Sequence, residues 1–273
     1  MSEPGREEVA CVLITGASSG LGEEFARQLA PVSARMILVG RRQDRLSALE
    51  EELRGAYPEL EVGSLPCDLS NRAERADLIE RVNGTGWSPT LLINNAGLGD
   101  YGEFSSSEWE KVEALLEVNI AALTHLTHGF LPPMIAEGRG AIINVSSLAG
   151  DLPIPDFATY AASKAYVTSF SEALRLELRE AGIRVLALCP GPIRGTGFGE
   201  VARRSPDSDS DNPLREKSYI ERSQVVAEAL HALRHDRARC YPGIGITLTA
   251  LAISLLPLAA IRVIMARRPR RVE

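Results

Sequence analysis

Six short apolar runs, Val9–Ile14, Met36–Val39, Leu60–Leu65, Leu91–Ile93, Ala141–Val145 and Ile183–Leu188, alternate with longer segments of helical periodicity, and Arg239–Tyr241 is a weaker seventh. A strand apolar on both faces must be covered on both faces, as in a parallel sheet flanked by helices. Strands joined by helical crossovers build a doubly wound α/β sheet. The 273 residues suffice for one such domain with a large core. A net charge of -6 excludes a general nucleic-acid binder, which needs a basic footprint.

Helix ends are legible too. Gly20–Leu29 runs into Pro31, and Asp44–Leu53 stops at Gly55. Ser107 and Glu110 match a capping box opening a helix to about His128. Tyr160–Glu180 ends at the C-cap glycine Gly182, and Ser223 is placed to cap a helix to about Leu233. Met1–Glu8 reads as a disordered polar tail, and Ser205–Pro213, with no apolar residue, as a mobile loop. No signal-peptide pattern is present, so the expected location is cytoplasmic. Cys11, Cys67, Cys189 and Cys240, far apart, read as buried reduced thiols.

Directly after the first run comes Thr15-Gly16-Ala17-Ser18-Ser19-Gly20-Leu21-Gly22. Glycines let backbone approach a pyrophosphate that a side chain would hold off. The next helix offers unpaired N–H groups at the positive end of its dipole. Such a turn is often only structural, but its place after the first strand makes it a dinucleotide cradle. The second run ends Gly40-Arg41-Arg42. A carboxylate here grips the ribose diol of NAD, whereas arginine suits the extra phosphate of NADP. Arg41 and Arg42 therefore point to NADP(H), with Asp44 the nearest acid. Asp68-Leu69 closes the third strand, where Asp68 is placed to bond the adenine amino group.

Far downstream, Tyr160 and Lys164 share a helix face at i, i+4. A phenol titrating near ~10 is a poor acid–base group at neutral pH. A nearby ammonium favours the phenolate and lowers that value. The phenol can then protonate a carbonyl oxygen or deprotonate an alcohol. Ile142–Ser147 is a strand ending in two hydroxyls, Ser146 and Ser147, at the sheet edge where ligands bind. Asn119 interrupts an apolar helix face, a position that also suits a core polar group bonded to backbone.

In this order the motifs resemble those of the short-chain dehydrogenase/reductase family over roughly Val9–Tyr241. The resemblance implies a single Rossmann-like domain, with a seven-stranded parallel sheet and helices on both faces. It implies an oxidoreductase moving hydride between NADP(H) and a carbonyl or alcohol. Thr15, Gly16, Gly20 and Gly22 match the glycine motif, with Ser18, Ser19 and Leu21 between them. Ser19 stands where some NADP-preferring members carry a basic residue. Asn94-Asn95-Ala96-Gly97 matches the segment lining the adenine side. Asn119, Ser147, Tyr160 and Lys164 match the catalytic tetrad, Ser147 being chosen over Ser146 by its spacing to Tyr160. The implied roles are Tyr160 as general acid–base and Ser147 as holder of the substrate oxygen. Lys164 tunes the Tyr and binds ribose, and Asn119 holds a relay water. Pro190-Gly191-Pro192-Ile193 matches the segment whose backbone holds the nicotinamide carboxamide. Gly195 precedes Thr196 as if one residue were inserted before the family's threonine. Members pair through helices like Ser107–His128 and Tyr160–Glu180, which implies a homodimer or homotetramer.

Leu98, Leu152, Ile154, Phe157 and Phe198 are candidate walls for a small apolar substrate, and would serve equally as core. Residues 9–242 read as the catalytic domain, with 197–219 as substrate lid, and 243–273 as an apolar arm with a basic end. Tyr241–Ile261 carries no charge, and Arg262, Arg267, Arg268, Arg270 and Arg271 follow. Three readings stand. A membrane span fits by length, but Gly243, Gly245, Pro257 and the placement of the arginines weigh against it. The arm can lie on an anionic membrane surface. It can also pack over the substrate mouth or a partner subunit, with Ile244, Leu248, Leu251, Leu255 and Leu258 as its stripe. The rival to an enzyme is a non-catalytic NADP(H)-binding regulatory or scaffold protein on the same fold.

Overall fold

The computed structural model describes residues 9–198, 202 and 219–267. Met1–Glu8, Ser205–Pro213, most of the expected lid, and Arg268, Arg270 and Arg271 lie outside the described residues. The strands are β1 (Val9–Thr15), β2 (Ser33–Gly40), β3 (Glu61–Pro66), β4 (Leu91–Asn94), β5 (Gly140–Val145), β6 (Ile183–Leu188), β7 (Ile193–Arg194), β8 (Ile220–Glu221) and β9 (Arg239–Cys240). Seven form one parallel sheet in the order β3-β2-β1-β4-β5-β6-β9, while β7 and β8 pair separately. The helices are α1 (Gly20–Leu29), α2 (Gln43–Ala56), α3 (Arg72–Gly84), α4 (Trp109–Leu116), α5 (Leu123–Glu137), α6 (Ala158–Glu177), α7 (Arg222–Arg234), α8 (Ile244–Leu255) and α9 (Leu258–Ala266).

β1 shows why the sheet is wrapped on both sides. Val12 and Ile14 pack with Phe25 of α1, Leu46 of α2 and Val225 of α7. Cys11 and Leu13 alternate to the other face, among Leu78 of α3, Phe130 of α5 and Leu174 of α6. This period of two, buried on both faces, is the doubly wound arrangement expected from the sequence. All four cysteines are free thiols, three of them buried and Cys240 half-buried.

The helix ends differ from expectation in several places. α4 begins at Trp109 with no side-chain cap; the Ser107 hydroxyl donates to Asp100 Oδ2 instead (2.9 Å). α7 begins at Arg222, so Ser223 lies inside it rather than capping it. α2 runs through Gly55 to Ala56. α6 ends at Glu177, and Gly182 (φ 72°) turns the chain into β6. The helix expected to stop near His128 continues. A π-helical stretch, Glu117–Ala122, joins α4 to α5, which runs through Pro132 and Pro133. Left-handed Gly138 (φ 62°) ends it.

Candidate active site

At the C-terminal edge of the sheet one cavity of about 900 Å³ gathers most of the sequence-predicted residues. That is room for a large ligand, sites of this kind spanning ~300–1,000 Å³. Gly16 (φ 65°) and Gly20 (φ 61°) form its glycine turn and line it with Ser18, Ser19 and Leu21. Ser19 occupies the N-cap of α1 without a side-chain cap bond, so no side chain covers the first-turn N–H groups. Thr15 and Gly22 do not line the cavity. Thr15 Oγ1 donates to Ile93 O (3.3 Å) and accepts from the Asn95 and Ala96 N–H groups (3.0 Å each). A Cβ on Gly22 would collide with the Gly16 carbonyl oxygen. Both residues thus hold the turn's shape. Asn95 props the same turn, its Nδ2 donating to the Thr15 (2.9 Å) and Gly16 (3.3 Å) carbonyls.

The basic end of the cavity is built around Ser18. Arg42 Nη2 donates to Ser18 O (3.1 Å) and Oγ (3.2 Å), and Arg41 lines the cavity beside it. Asp68 Oδ1 accepts from the Ser70 N–H (2.9 Å) and O–H (2.8 Å). Burial pushes the Asp68 carboxyl up, but the Ser70 bonds and the Arg41 charge outweigh it and hold the group below its ordinary value. Buried Arg75 donates to Leu69 O (2.7 Å) and fixes the strip.

At the other end Tyr160 lies in the first turn of α6, buried. Its ring stacks on Phe157 (4.2 Å, 23°) and meets Phe198 (5.3 Å), while Tyr101 packs on Phe157 (5.3 Å). Burial in this frame pushes the phenol up to about 12, partly offset by its hydrogen bond with Ser147. Ser147 follows β5, accepts from the Ala149 N–H (3.1 Å) and donates to Pro190 O (3.4 Å). Ser146 is tied elsewhere, to Lys164 O (2.8 Å) and the Thr168 hydroxyl (2.7 Å), which leaves Ser147 as the serine of the site.

Lys164 and Asn119 make contacts that their spacing in the sequence does not reveal. Lys164 Nζ donates to Val145 O (2.8 Å) and lies 5.6 Å from the centre of the Tyr160 ring. Burial is the largest influence on the phenol here. Asn119 sits in the π-helical stretch, off the cavity wall. Its Nδ2 donates to Leu98 O (2.9 Å) and Ser163 Oγ (3.0 Å), and its Oδ1 accepts the Leu98 N–H (2.8 Å). The side chain fastens the backbone at Leu98. A Cβ on Gly97 would lie 3.4 Å from both Asn119 Oδ1 and Lys164 Nζ, in ordinary contact.

Pro190, Gly191 and Ile193 line the cavity, and Ile193 is held by pairing with Ile220. Thr196 also lines it, its backbone 3.3 Å from where a Gly20 Cβ would be. Gly195 is left-handed (φ 71°), and the Thr196 backbone lies against the glycine turn. Leu98, Leu152, Ile154, Phe157 and Phe198 all line the cavity.

Sequence reasoning missed a latch behind Ser147. Arg239 forks onto Glu172 of α6 (2.6 and 2.7 Å), and the Tyr241 hydroxyl donates to Asp151 Oδ2 (2.8 Å). Gly150 brings the same turn against α6, where a Cβ would lie 2.7 Å from the Lys164 carbonyl carbon.

Burial lowers the Lys164 ammonium from 10.5 to about 8. Between those values the unfolded chain binds a proton that the native chain does not, so stability rises with pH across the window. The penalty, on the order of 3 kcal/mol, is fully present below pH 8. Denaturant midpoints of wild type against Lys164→Met at pH 7 and 9.5 are the check. The wild type is expected to gain relative to the variant as pH rises, and parallel profiles would refute the buried ammonium.

A family model described as short chain dehydrogenase matches residues 10–206. A sulfoacetaldehyde reductase of Chromohalobacter salexigens is 37% identical over 227 residues, covering 81% of this chain and 87% of its own. The NADP-dependent 3-hydroxy acid dehydrogenase YdfG of Escherichia coli K12 is 33% identical, covering 73% and 79%. Among solved structures, a short-chain dehydrogenase from Sphingobium yanoikuyae in complex with NADPH superposes with a TM-score of 0.80 at 30% identity, covering 97% of this chain and 98% of that one. Motif order, sheet topology and these likenesses converge, and the chain belongs to the short-chain dehydrogenase/reductase family.

Proposed function

We propose that this protein is an NADPH-dependent reductase interconverting a small apolar carbonyl and its alcohol. One observation carries the reading: a single cavity holds the glycine turn, the Arg41–Arg42 pair and the Ser147–Tyr160–Lys164 cluster. The residues fit a phosphorylated dinucleotide. A Cβ on Gly16 would lie 2.9 Å from Asn95 Nδ2, so only glycine keeps the cradle open. The uncapped end of α1 suits a pyrophosphate, and the guanidinium pair beside Ser18 suits a further phosphate. YdfG carries NADP in its name and the Sphingobium enzyme is a complex with NADPH, which supports the same choice.

Bound nicotinamide supplies hydride. Ser147 Oγ holds the substrate oxygen, and Tyr160 Oη donates the proton to it. Burial keeps that phenol protonated at neutral pH, the state reduction requires. Lys164 Nζ binds the ribose. The apolar walls exclude water and select an apolar substrate. Among the described residues lining the cavity, Arg222 pairs with Glu23 (3.3 Å) and Glu24 (3.7 Å), which disfavours an anion like sulfoacetaldehyde.

The test is NADPH oxidation across alkyl and aryl ketones and aldehydes. Tight NADPH binding without turnover on any of them would favour the non-catalytic alternative. The double variant Arg41→Ala/Arg42→Ala is expected to raise KM for NADPH about 10²–10⁴-fold, two charged hydrogen bonds contributing ~1.5–3 kcal/mol each, and to leave that for NADH nearly unchanged. Equal losses with both cofactors would remove the arginines from phosphate recognition.

A further inference from the structure

The arm after β9 is rooted in the body and open on its outer side. Gly243 abuts Ile220, Ile246 lies against Gly191 of the cavity wall, and Ala250 and Ile261 are buried. Elsewhere on α8, Ile244, Leu248, Leu251 and Leu255 are 81%, 59%, 54% and 76% exposed. Their i, i+4, i+7, i+11 spacing makes one continuous ridge. α9 adds exposed Leu258, Val263 and Ile264. Among the described residues no single helix is long and apolar enough to cross a membrane, and α8 and α9 are bent by 116° at their junction.

Two further observations say what covers the ridge. The hydroxyls of α8 are all satisfied by backbone: Thr247 donates to Tyr241 O (2.7 Å), Thr249 to Gly245 O (2.8 Å) and Ser254 to Leu251 O (2.8 Å). None needs water, so α8 suits an apolar medium. Charge is also segregated. No charged residue stands between 242 and 261; Arg262, Arg267, Arg268, Arg270 and Arg271 follow against a single Glu273, in a chain of net charge -6.

We propose that α8 and α9 form an interfacial anchor that seats the apolar ridge in the headgroup boundary of an anionic bilayer, with Arg262 and Arg267 on lipid phosphates. A second copy brings the same excess of cations to the contact, whereas an anionic surface neutralises it.

The full chain is sedimented with vesicles of equimolar phosphatidylcholine and phosphatidylglycerol, and with phosphatidylcholine alone. Wild type is expected to pellet with the anionic vesicles and to bind the neutral ones about 10-fold more weakly. Arg262→Gln/Arg267→Gln is expected to weaken anionic binding several-fold. Leu248→Glu/Leu255→Glu, whose positions face outward, is expected to abolish it while melting temperature and NADPH affinity hold. Binding that survives the glutamates, or no vesicle binding by wild type, would overturn the anchor. If wild type ignores vesicles and the glutamates split an oligomer, a second copy covers the ridge and the proposal fails. Pelleting is read without turnover, so its failure is distinct from failure of the reductase reading.

Discussion

Tyr160→Phe is expected to bind NADPH as tightly as wild type and to lose about 10²–10⁴-fold in kcat, the usual contribution of a positioned acid. The substitution removes one oxygen and keeps the ring, so the stack on Phe157 and the contact with Phe198 survive. Ser147 loses its phenol partner but keeps the Ala149 N–H and the Pro190 carbonyl. Stability should therefore change little, and the loss should fall on kcat rather than on KM for NADPH. Steady-state kinetics with a cofactor titration by fluorescence decide it. Equal turnover by the two proteins would remove Tyr160 from the chemistry.

Gly22→Ala is the second large effect. An added Cβ meets the Gly16 carbonyl oxygen on one side and Asn95 Nδ2, at 2.7 Å, on the other. The carbonyl is backbone and Asn95 Nδ2 is tied to the Thr15 and Gly16 carbonyls, so the glycine turn itself must shift. Alanine improves helix propensity by about 1 kcal/mol, while overpacking against fixed atoms costs ~1–3 kcal/mol. We expect a lower melting temperature and, by calorimetric titration, a loss of NADPH affinity of at least about 10-fold, in line with the displaced turn. Gly55→Ala is the control: nothing lies within 4 Å of its Cβ, and it sits near the end of α2. That variant should be unchanged or more stable by ~0.5–1 kcal/mol. Similar losses in both variants would mean that the close approach at Gly22 has no special weight.

Sheet and cavity edge were legible because their causes are local or periodic. Runs apolar on both faces mark the strands, and the turn after β1 needs glycine at Gly16 and Gly20 whatever surrounds it. The failures share one cause, competition from residues distant in sequence. Ser107 had the chemistry of a cap, but Asp100 took its hydroxyl. Thr15 and Gly22 stand inside the motif, yet β4 and the Gly16 carbonyl claim them as supports. Spacing placed Lys164 beside Tyr160, but not its bond to the Val145 carbonyl, which requires the β5–α6 packing. Tyr101, which packs on Phe157, and the Arg239–Glu172 pair join residues 56 or more positions apart with no repeating pattern to reveal them.

The latch of Asp151, Glu172, Arg239 and Tyr241 sets where this chain can be shortened. A protein cut after Tyr241 keeps the side-chain bonds of the latch, though it loses the packing of α8 against the Leu148–Asp151 turn and Gly191. One cut a few residues earlier releases that loop from the last strand, so tags, fusions and split-protein designs have a sharp boundary there.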